Sequence, residues 1–231
     1  MRIQGLQKLT LLDYPGKMAC TIFLDGCNFR CPFCQNGDLA LSQQEDAAVS
    51  ADELLAFLRK RAGLLDGVCV TGGEPLLSTG LDGLIYQIKQ LGYLVKLDTN
   101  GSLPAQLKKL VGDGLVDYVA MDIKNSKQRY AETAGIPGLN LSRIEESVEF
   151  LLSGAVDYEF RTTVVREFHC SADFDAIGAW IRGARRYFLQ AFVDSDRVLC
   201  GGLHGYDRNE LETFCERLCQ AGVPTTLRGI N

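Results

Sequence analysis

The stretch MACTIFLDGCNFRCPFCQN, residues 18–36, joins an apolar run to a loop that holds three cysteines. Residues 18–24 form a short run that is rich in strand-forming side chains, and this predicts a buried strand. The glycine, proline and asparagine residues that follow are typical of a loop. Cys27, Cys31 and Cys34 stand in this loop at the spacing Cys-x3-Cys-x2-Cys. The spacing indicates that the three thiols can converge on one metal site.

The three thiols restrict the metals that this loop could hold. Soft thiolate ligands favour zinc or an iron–sulfur cluster. A closed zinc site needs a fourth ligand, whereas a four-iron cluster held by three cysteines keeps one iron open. The remaining cysteines and both histidines are scattered along the chain: Cys20, Cys69, Cys170, Cys200, Cys215, Cys219, His169 and His204. The residues alone therefore leave both metals open.

The composition limits the class of protein and its partners. The chain has 231 residues, of which 46% are hydrophobic and nine are cysteines, and this favours one α/β domain with reduced thiols. The 24 basic and 29 acidic residues give a net charge of −5 without a basic run, so no nucleic-acid partner is expected. Because no apolar stretch is long enough for a membrane span or a signal peptide, we expect no membrane partner and a cytoplasmic protein.

Short apolar runs alternate with amphipathic segments through most of the chain. The predicted strands are residues 18–24, 67–71, 93–98, 118–123, 158–165, 187–193 and a closing strand near 223–228. The predicted helices are residues 50–65, 81–91, 104–111, 142–152, 173–182 and 207–221. About six such units form a doubly wound sheet or an incomplete barrel. We predict an α/β fold, an incomplete (β/α)6 TIM-like barrel with parallel strands and an N-terminal hairpin, in a single domain over residues 1–231.

Two of the predicted helices begin with a capping-box pattern. Ser50 is followed by Glu53, and Ser142 is followed by Glu145. In a capping box the serine side chain accepts from the backbone N–H three residues on, and the glutamate returns the contact. The pattern therefore predicts that Ser50 and Ser142 are N-caps.

Polar motifs follow three further predicted strands. They are TGGEP at residues 71–75, LDTNG at residues 97–101 and MDIK at residues 121–124. Paired glycines let a backbone approach a ligand closely, and Glu74 supplies a hydrogen-bond acceptor. Active sites of α/β barrels form at the carboxyl ends of the strands. The cysteine loop and the three motifs therefore fit one site.

The cysteine loop, with the aromatic Phe33 before its last cysteine, resembles the signature of the radical S-adenosylmethionine (SAM) superfamily. The resemblance implies one [4Fe–4S] cluster on Cys27, Cys31 and Cys34, whose open iron binds SAM. The reduced cluster cleaves SAM to methionine and a 5′-deoxyadenosyl radical, so the cofactor carries the chemistry. The Gly72-Gly73-Glu74 segment matches the part of the family that contacts the SAM methionine amine.

The LDTNG and MDIK motifs resemble the branch of this superfamily that activates glycyl radical enzymes. In that branch Asp98, Thr99 and Asp122 are implied to hold a monovalent cation beside the SAM carboxylate, and oxygen ligands suit such an ion. Lys124 is implied to neutralise the SAM carboxylate or to contact the ribose. Arg161 matches another basic position that faces the cofactor.

Within that branch, residues 2–17 and the cysteine loop are most similar to activating proteins of anaerobic ribonucleoside-triphosphate reductase. The similarity implies an oxidoreductase that abstracts a hydrogen atom from a glycine of that partner under anaerobic conditions. Flavodoxin or ferredoxin is the implied electron donor. Two positions depart from other activators: Gln35 replaces a histidine, and Leu-Gln-Ala-Phe at residues 189–192 replaces the Leu-Pro-Tyr-His of pyruvate formate-lyase activators.

Three alternatives remain open at the level of sequence. One is an activating enzyme of the pyruvate formate-lyase type. Another is a small-molecule radical SAM enzyme such as 7-carboxy-7-deazaguanine synthase, against which the LDTNG and MDIK motifs argue. The last is a zinc-binding structural module without catalysis, which a brown, iron-containing protein would exclude.

Several other polar residues are expected to have no catalytic role. His169 and His204 stand in polar or glycine-rich segments, which predicts solvated side chains. Cys215 and Cys219 are four residues apart on a predicted helix with apolar neighbours, so both are expected to pack in the core.

Overall fold

A computed structural model describes residues 1–41 and 48–229 of the chain, which forms two compact units. The first unit comprises residues 1–28 and 38–120, and the second comprises residues 29–37 and the chain from residue 121 onward. The cysteine loop therefore contributes Cys27 to the first unit and its other two cysteines to the second. A single domain over the whole chain stays a prediction.

The described chain contains eight strands and eight helices, which alternate over most of its length. The strands are β1 (Ile3–Thr10), β2 (Ala19–Leu24), β3 (Gly67–Gly72), β4 (Leu94–Thr99), β5 (Tyr118–Asp122), β6 (Asp157–Val164), β7 (Tyr187–Ala191) and β8 (Thr225–Arg228). The helices are α1 (Gly37–Ala40), α2 (Ala51–Lys60), α3 (Leu81–Gln90), α4 (Pro104–Gly112), α5 (Tyr130–Thr133), α6 (Leu141–Leu152), α7 (Ser171–Trp180) and α8 (Arg208–Gln220), with a 3-10 turn at Pro75–Leu77. Every predicted strand and helix is present.

The strands follow one another in the sheet in chain order, from β1 to β8. β1 pairs antiparallel with β2, which confirms the N-terminal hairpin. The pairs β2–β3, β3–β4, β6–β7 and β7–β8 are parallel. Parallel strands in chain order with helices between them are the topology of a (β/α) barrel. The predicted α/β class, an incomplete barrel of this kind, is confirmed.

The strands that carry the motifs are buried along most of their length. In β2, Ala19, Cys20, Ile22 and Leu24 have no exposed surface. Parallel strands that are covered on both faces have continuous apolar sequences, and this explains why residues 18–24 carry no polar alternation. The polar motifs begin where these apolar runs end, at the carboxyl ends of β2, β3, β4 and β5.

The helix predicted over residues 50–65 is shorter in the structure. It ends at Lys60, and a turn follows in which Arg61 N donates to Leu58 O. Gly63 then adopts a φ of +76°, in the left-handed region that favours glycine. The helix cannot continue through that residue, and the apolar Leu64 and Leu65 belong to the turn that leads to β3.

One of the two predicted capping boxes is confirmed. Ser50 Oγ accepts from Glu53 N at 3.2 Å, and Glu53 Oε2 accepts from Ser50 N at 2.8 Å. At α6 the prediction is wrong, because the helix begins one residue earlier and Asn140 is its N-cap. Asn140 Oδ1 accepts from both the backbone N and the hydroxyl of Ser142, so this hydroxyl acts as a donor.

The two serines should therefore respond differently to substitution. Ser50→Ala removes a cap and is expected to lower the free energy of unfolding by about 1 kcal/mol. Ser142→Ala is the matched control and should change it by less than about 0.5 kcal/mol, since the Asn140 cap remains. Urea denaturation of both variants measures the difference. Equal losses would contradict the assignment of Asn140 as the cap.

A helix that crosses a membrane must be long and apolar. None of those within residues 1–41 and 48–229 combines the length and the apolar character that crossing a membrane requires.

Candidate functional site

The end of β3 lies directly against the residue that precedes Cys27. Gly73 N donates to Leu24 O at 2.9 Å, and Glu74 N donates to Gly26 O at 2.7 Å. A Cβ atom at Gly73 would stand 2.1 Å from Gly26 O, and Gly72 has a φ of +131°. The paired glycines thus let the end of β3 approach the backbone at Gly26. The two hydrogen bonds formed there fix the start of the cysteine loop.

Glu74 joins the ends of β3 and β4 within the first unit. The residue is fully buried. Its Oε1 accepts from Leu76 N at 3.1 Å and from Thr99 Oγ1 at 2.9 Å, and its Oε2 accepts from Asn100 N at 2.6 Å. A buried carboxylate with three donors is well satisfied. Its predicted contact with the SAM amine stays a prediction, and the structure adds a role in positioning the LDTNG motif.

Asn100 is a site residue that the sequence prediction missed. Its Nδ2 donates to Asn28 Oδ1 at 2.9 Å and lies 3.9 Å from Cys27 Sγ. Its Oδ1 accepts from Ser102 N, and Asn28 Nδ2 donates to Ser102 Oγ. An amide donor beside a thiolate ligand tunes the electronics of a cluster.

Asp98 and Thr99 both have partners within the first unit. Asp98 Oδ1 forms an ion pair with Lys96 Nζ, and the Lys96 side chain is 1% exposed. Thr99 Oγ1 donates to Glu74 and accepts from Gly101 N at 3.1 Å. Lys96 was not predicted as a site residue. Its position two residues before Asp98 on a strand is the signal that could have found it, because such side chains share a face.

In the second unit, Phe33 of the cysteine loop packs against two rings that follow β6. Its ring centroid is 5.8 Å from that of Phe168 and 6.3 Å from that of His169. The prediction that His169 is solvated is wrong, since only 1% of it is exposed. The ring nitrogens contact Lys124 O and Val165 N, and burial lowers the pKa of His169. His169 therefore links the cysteine loop to the end of β5 as a neutral ring.

The segment after β7 lies along the cysteine loop, also within the second unit. Leu199 N donates to Cys34 O at 3.1 Å, and Cys200 N donates to Pro32 O at 2.8 Å. Gln35 Nε2 donates to Val193 O at 3.0 Å. Gln35, which stands where many activating enzymes have a histidine, thus contacts this segment. Two of these three hydrogen bonds join backbone atoms, so they do not depend on which side chains stand at those positions.

Asp122, Lys124 and Arg161 form a charged triad in the second unit. Lys124 Nζ donates to Asp122 Oδ2 at 2.9 Å, and Arg161 Nε donates to Asp122 Oδ1 at 3.0 Å. The Tyr130 hydroxyl donates to Asp122 O at 3.2 Å. Two cations against one carboxylate leave these three side chains with a net charge of +1. The structure thus brings together three of the predicted residues.

The triad stays charged over a wide pH range. Burial raises the pKa of Asp122, but Lys124 and Arg161 outweigh this effect and lower the pKa to about 2. Burial lowers the pKa of Lys124, but the charges of Asp122 and Cys31 outweigh this effect and raise the pKa of Lys124 above its usual value. The Lys124 ammonium is therefore a fixed positive charge that interacts with a thiol of the cysteine loop.

The cysteine loop supplies thiols, which are the donor type that an iron–sulfur cluster takes. Cys31 is buried, whereas Cys27 and Cys34 are partly exposed. Within residues 1–41 and 48–229 the side chains do not form a ready-made group of three or more His, Cys, Asp and Glu for a metal ion. The assignment of the cluster to these thiols accordingly stays a prediction, supported by their spacing and by the amide and ammonium groups beside them.

The other cysteines differ in exposure. Burial raises the pKa of Cys20 and of Cys69 to about 12, so both thiols remain protonated at neutral pH and are poor ligands. Cys215 is buried, as predicted, and burial raises its pKa to about 12. Cys219 is exposed, so its predicted place in the core is wrong. It lies where the last turn of α8 meets solvent.

Comparison with known proteins identifies the family. The family model of the Radical SAM superfamily matches residues 21–166, which include the cysteine loop and the three strand-end motifs. The chain belongs to this superfamily. Membership implies a [4Fe–4S] cluster and SAM.

Individual relatives point to more than one activity. A Methanocaldococcus jannaschii protein that carries the provisional name of a glycyl-radical enzyme activating enzyme is 29% identical over 201 residues, which is 84% of this chain and 81% of that protein. The 7-carboxy-7-deazaguanine synthase of Hyperthermus butylicus is 38% identical over 93 residues, 40% of this chain and 38% of that protein. A domain of the pyruvate-formate lyase-activating enzyme from Bacteroides vulgatus shares the fold, with a TM-score of 0.57 at 15% identity over 71% of this chain and 99% of that one.

Proposed function

We propose that this protein is a radical SAM activating enzyme that removes a hydrogen atom from a glycine of a glycyl radical enzyme. The observation that carries the proposal is the similarity to the Methanocaldococcus jannaschii protein, which extends over four fifths of both chains. The LDTNG and MDIK motifs at the ends of β4 and β5 support it, because they resemble those of the branch that activates glycyl radical enzymes.

The chain's own residues suit the binding of SAM. When a cluster is bound by Cys27, Cys31 and Cys34, it supplies the electron that cleaves SAM. The net charge of +1 on the triad of Asp122, Lys124 and Arg161 favours a carboxylate ligand. Asp122 holds both cations in fixed directions, so less side-chain entropy is lost when SAM binds.

The partner and the electron donor are part of the proposal. Anaerobic ribonucleoside-triphosphate reductase is the preferred glycyl radical enzyme, and a flavodoxin or ferredoxin is the donor, in an anaerobic cytoplasm. The reaction needs the deoxyadenosyl carbon within about 3–4 Å of the target glycine, so the partner must present that glycine on a loop.

Electron paramagnetic resonance tests this function directly. The cluster-loaded protein is mixed anaerobically with SAM, a low-potential reductant and the reductase. We expect a glycyl-radical doublet on the reductase, with 5′-deoxyadenosine accumulating in step. Cys31→Ala should produce neither signal. Cys200→Ser should produce both, because Cys200 contacts the cysteine loop through its backbone N.

A second candidate function is favoured by the similarity to 7-carboxy-7-deazaguanine synthase. If the protein acts on a small molecule, 5′-deoxyadenosine would form only with a small purine or pterin substrate, and no protein would carry a radical. That result would reject the activating function. A doublet on a pyruvate formate-lyase-type enzyme, and none on the reductase, would retain the class of reaction and change the partner.

A further inference from the structure

Lys96 is a buried charged residue on β4, the strand that leads into the LDTNG motif. It is 1% exposed. Side chains two residues apart on a strand share a face, so Lys96 and Asp98 lie side by side. Lys96 Nζ donates to Asp98 Oδ1. The chain itself therefore places a fixed positive charge beside Asp98.

The lysine belongs to a row of polar side chains on three neighbouring strands. In the parallel register Thr21 of β2 pairs with Cys69 of β3, and Cys69 pairs with Lys96 of β4. Thr21 Oγ1 donates to Asp13 Oδ2 at 2.5 Å. The thiol of Cys69 interacts with the charges of Lys96, Asp98 and Asp13. Lys96 is thus a cation at one end of this row, and the carboxylates of Asp13 and Asp98 contact the row at Thr21 and at Lys96.

The other residues implied as cation ligands also have partners within their own unit. Thr99 Oγ1 donates to Glu74 Oε1 at 2.9 Å. Asp122 accepts from Lys124 at 2.9 Å and from Arg161 at 3.0 Å. Each carboxylate of the implied set already has an ammonium or guanidinium partner. The set does not fit a further monovalent ion.

Electrostatics disfavours an added ion at Asp98. The carboxylate charge is neutralised by Lys96, and an ion at this position would be repelled by the buried ammonium. The ion would also lose its hydration shell without gaining an unpaired carboxylate. We infer that the Lys96 ammonium takes the place of the monovalent cation, so that SAM binding needs neither Na⁺ nor K⁺. Lys96 is a positioning residue, because it acts through Asp98.

The dependence of SAM affinity on the salt cation tests this inference. Equilibrium dialysis of SAM with the cluster-loaded protein is run in Na⁺, K⁺ and tetramethylammonium salts, the last being too large to enter a cation site. At matched ionic strength, the wild-type affinity should change by less than about twofold among the three salts. A loss of affinity in tetramethylammonium would overturn the inference.

Two variants separate a charge role from a packing role. Lys96→Met keeps the length of the side chain but removes the ammonium group from the Asp98 carboxylate. Its SAM affinity should become ion-dependent and fall at least about tenfold in tetramethylammonium relative to K⁺. Lys96→Arg keeps the charge and should bind SAM equally in all three salts. A folded Lys96→Met protein that binds SAM without any ion response would overturn the inference.

A direct ion-binding measurement needs neither SAM nor a folded variant. Sodium NMR line broadening of the wild-type protein should show no saturable site. A saturable site that K⁺ displaces would overturn the inference by itself. Because this measurement is independent of SAM and of any glycyl radical enzyme, its result is distinct from failure of the proposed function.

Discussion

Cys31→Ala is expected to lose the cluster and with it all SAM cleavage. Cys31 is the buried cysteine of the loop, and Lys124 interacts with it electrostatically. One iron of the cluster is open even with all three thiols, so with two thiols left, two of its four irons would have no protein ligand. Iron content per protein should fall more than about tenfold, since even the loss of an outer partner costs about 10–100-fold in metal affinity. Iron and sulfide analysis after anaerobic reconstitution measures this loss.

Cys200→Ser is the matched control for that experiment. Its thiol is exposed, and its contact with the loop runs through backbone N to Pro32 O, which the substitution leaves intact. Its iron content should equal that of the wild type. If Cys31→Ala retained its iron while Cys200→Ser lost it, the assignment of Cys27, Cys31 and Cys34 as ligands would be wrong.

Gly73→Ala is expected to displace the start of the cysteine loop. The new Cβ would stand 2.1 Å from Gly26 O and 3.1 Å from Cys27 N, and both are backbone atoms that cannot rotate away. The strand end or the loop must shift, and overpacking of this kind lowers the free energy of unfolding by about 1–3 kcal/mol or more. Because Cys27 follows directly, we expect reduced iron content as well. Thermal unfolding and iron analysis measure the two effects.

Gly83→Ala provides the control for a glycine substitution in the same unit. Gly83 lies in α3, and a Cβ atom there would meet nothing within 4 Å. Alanine in a helix is favoured over glycine by about 0.5–1 kcal/mol, so this variant should be slightly more stable with full iron content. A Gly73→Ala protein that matched it in stability and iron would contradict the close approach of Gly73 to Gly26.

The fold was largely predictable because its signals are local. Each buried parallel strand is a short apolar run, and each helix has an apolar face and an end signal, so alternation in the sequence implied the topology. The boundaries were less predictable. The helix at residues 51–60 ends early because Gly63 adopts a left-handed conformation. The helix α6 begins at Leu141 because the side chain of Asn140, and not that of Ser142, caps it.

The candidate site was predictable only in part. The spacing of the cysteines determined the superfamily, and the motifs at residues 71–75, 97–101 and 121–124 determined which strand ends carry polar groups. Sequence position does not say how far apart two side chains of different motifs stand. The roles of His169 and Asn100 were therefore missed, since both depend on contacts between segments distant in the chain.

The sequence by itself thus indicated the superfamily, the succession of strands and helices along the chain and the residue types available for chemistry. The tertiary structure alone decided which of these groups are already paired. Lys96 is the clearest case: the sequence places it two residues before Asp98, but only the fold shows that it is buried and forms an ion pair with that carboxylate. The physical reason is that a charge removed from water must be compensated nearby, and only the folded chain specifies what is near.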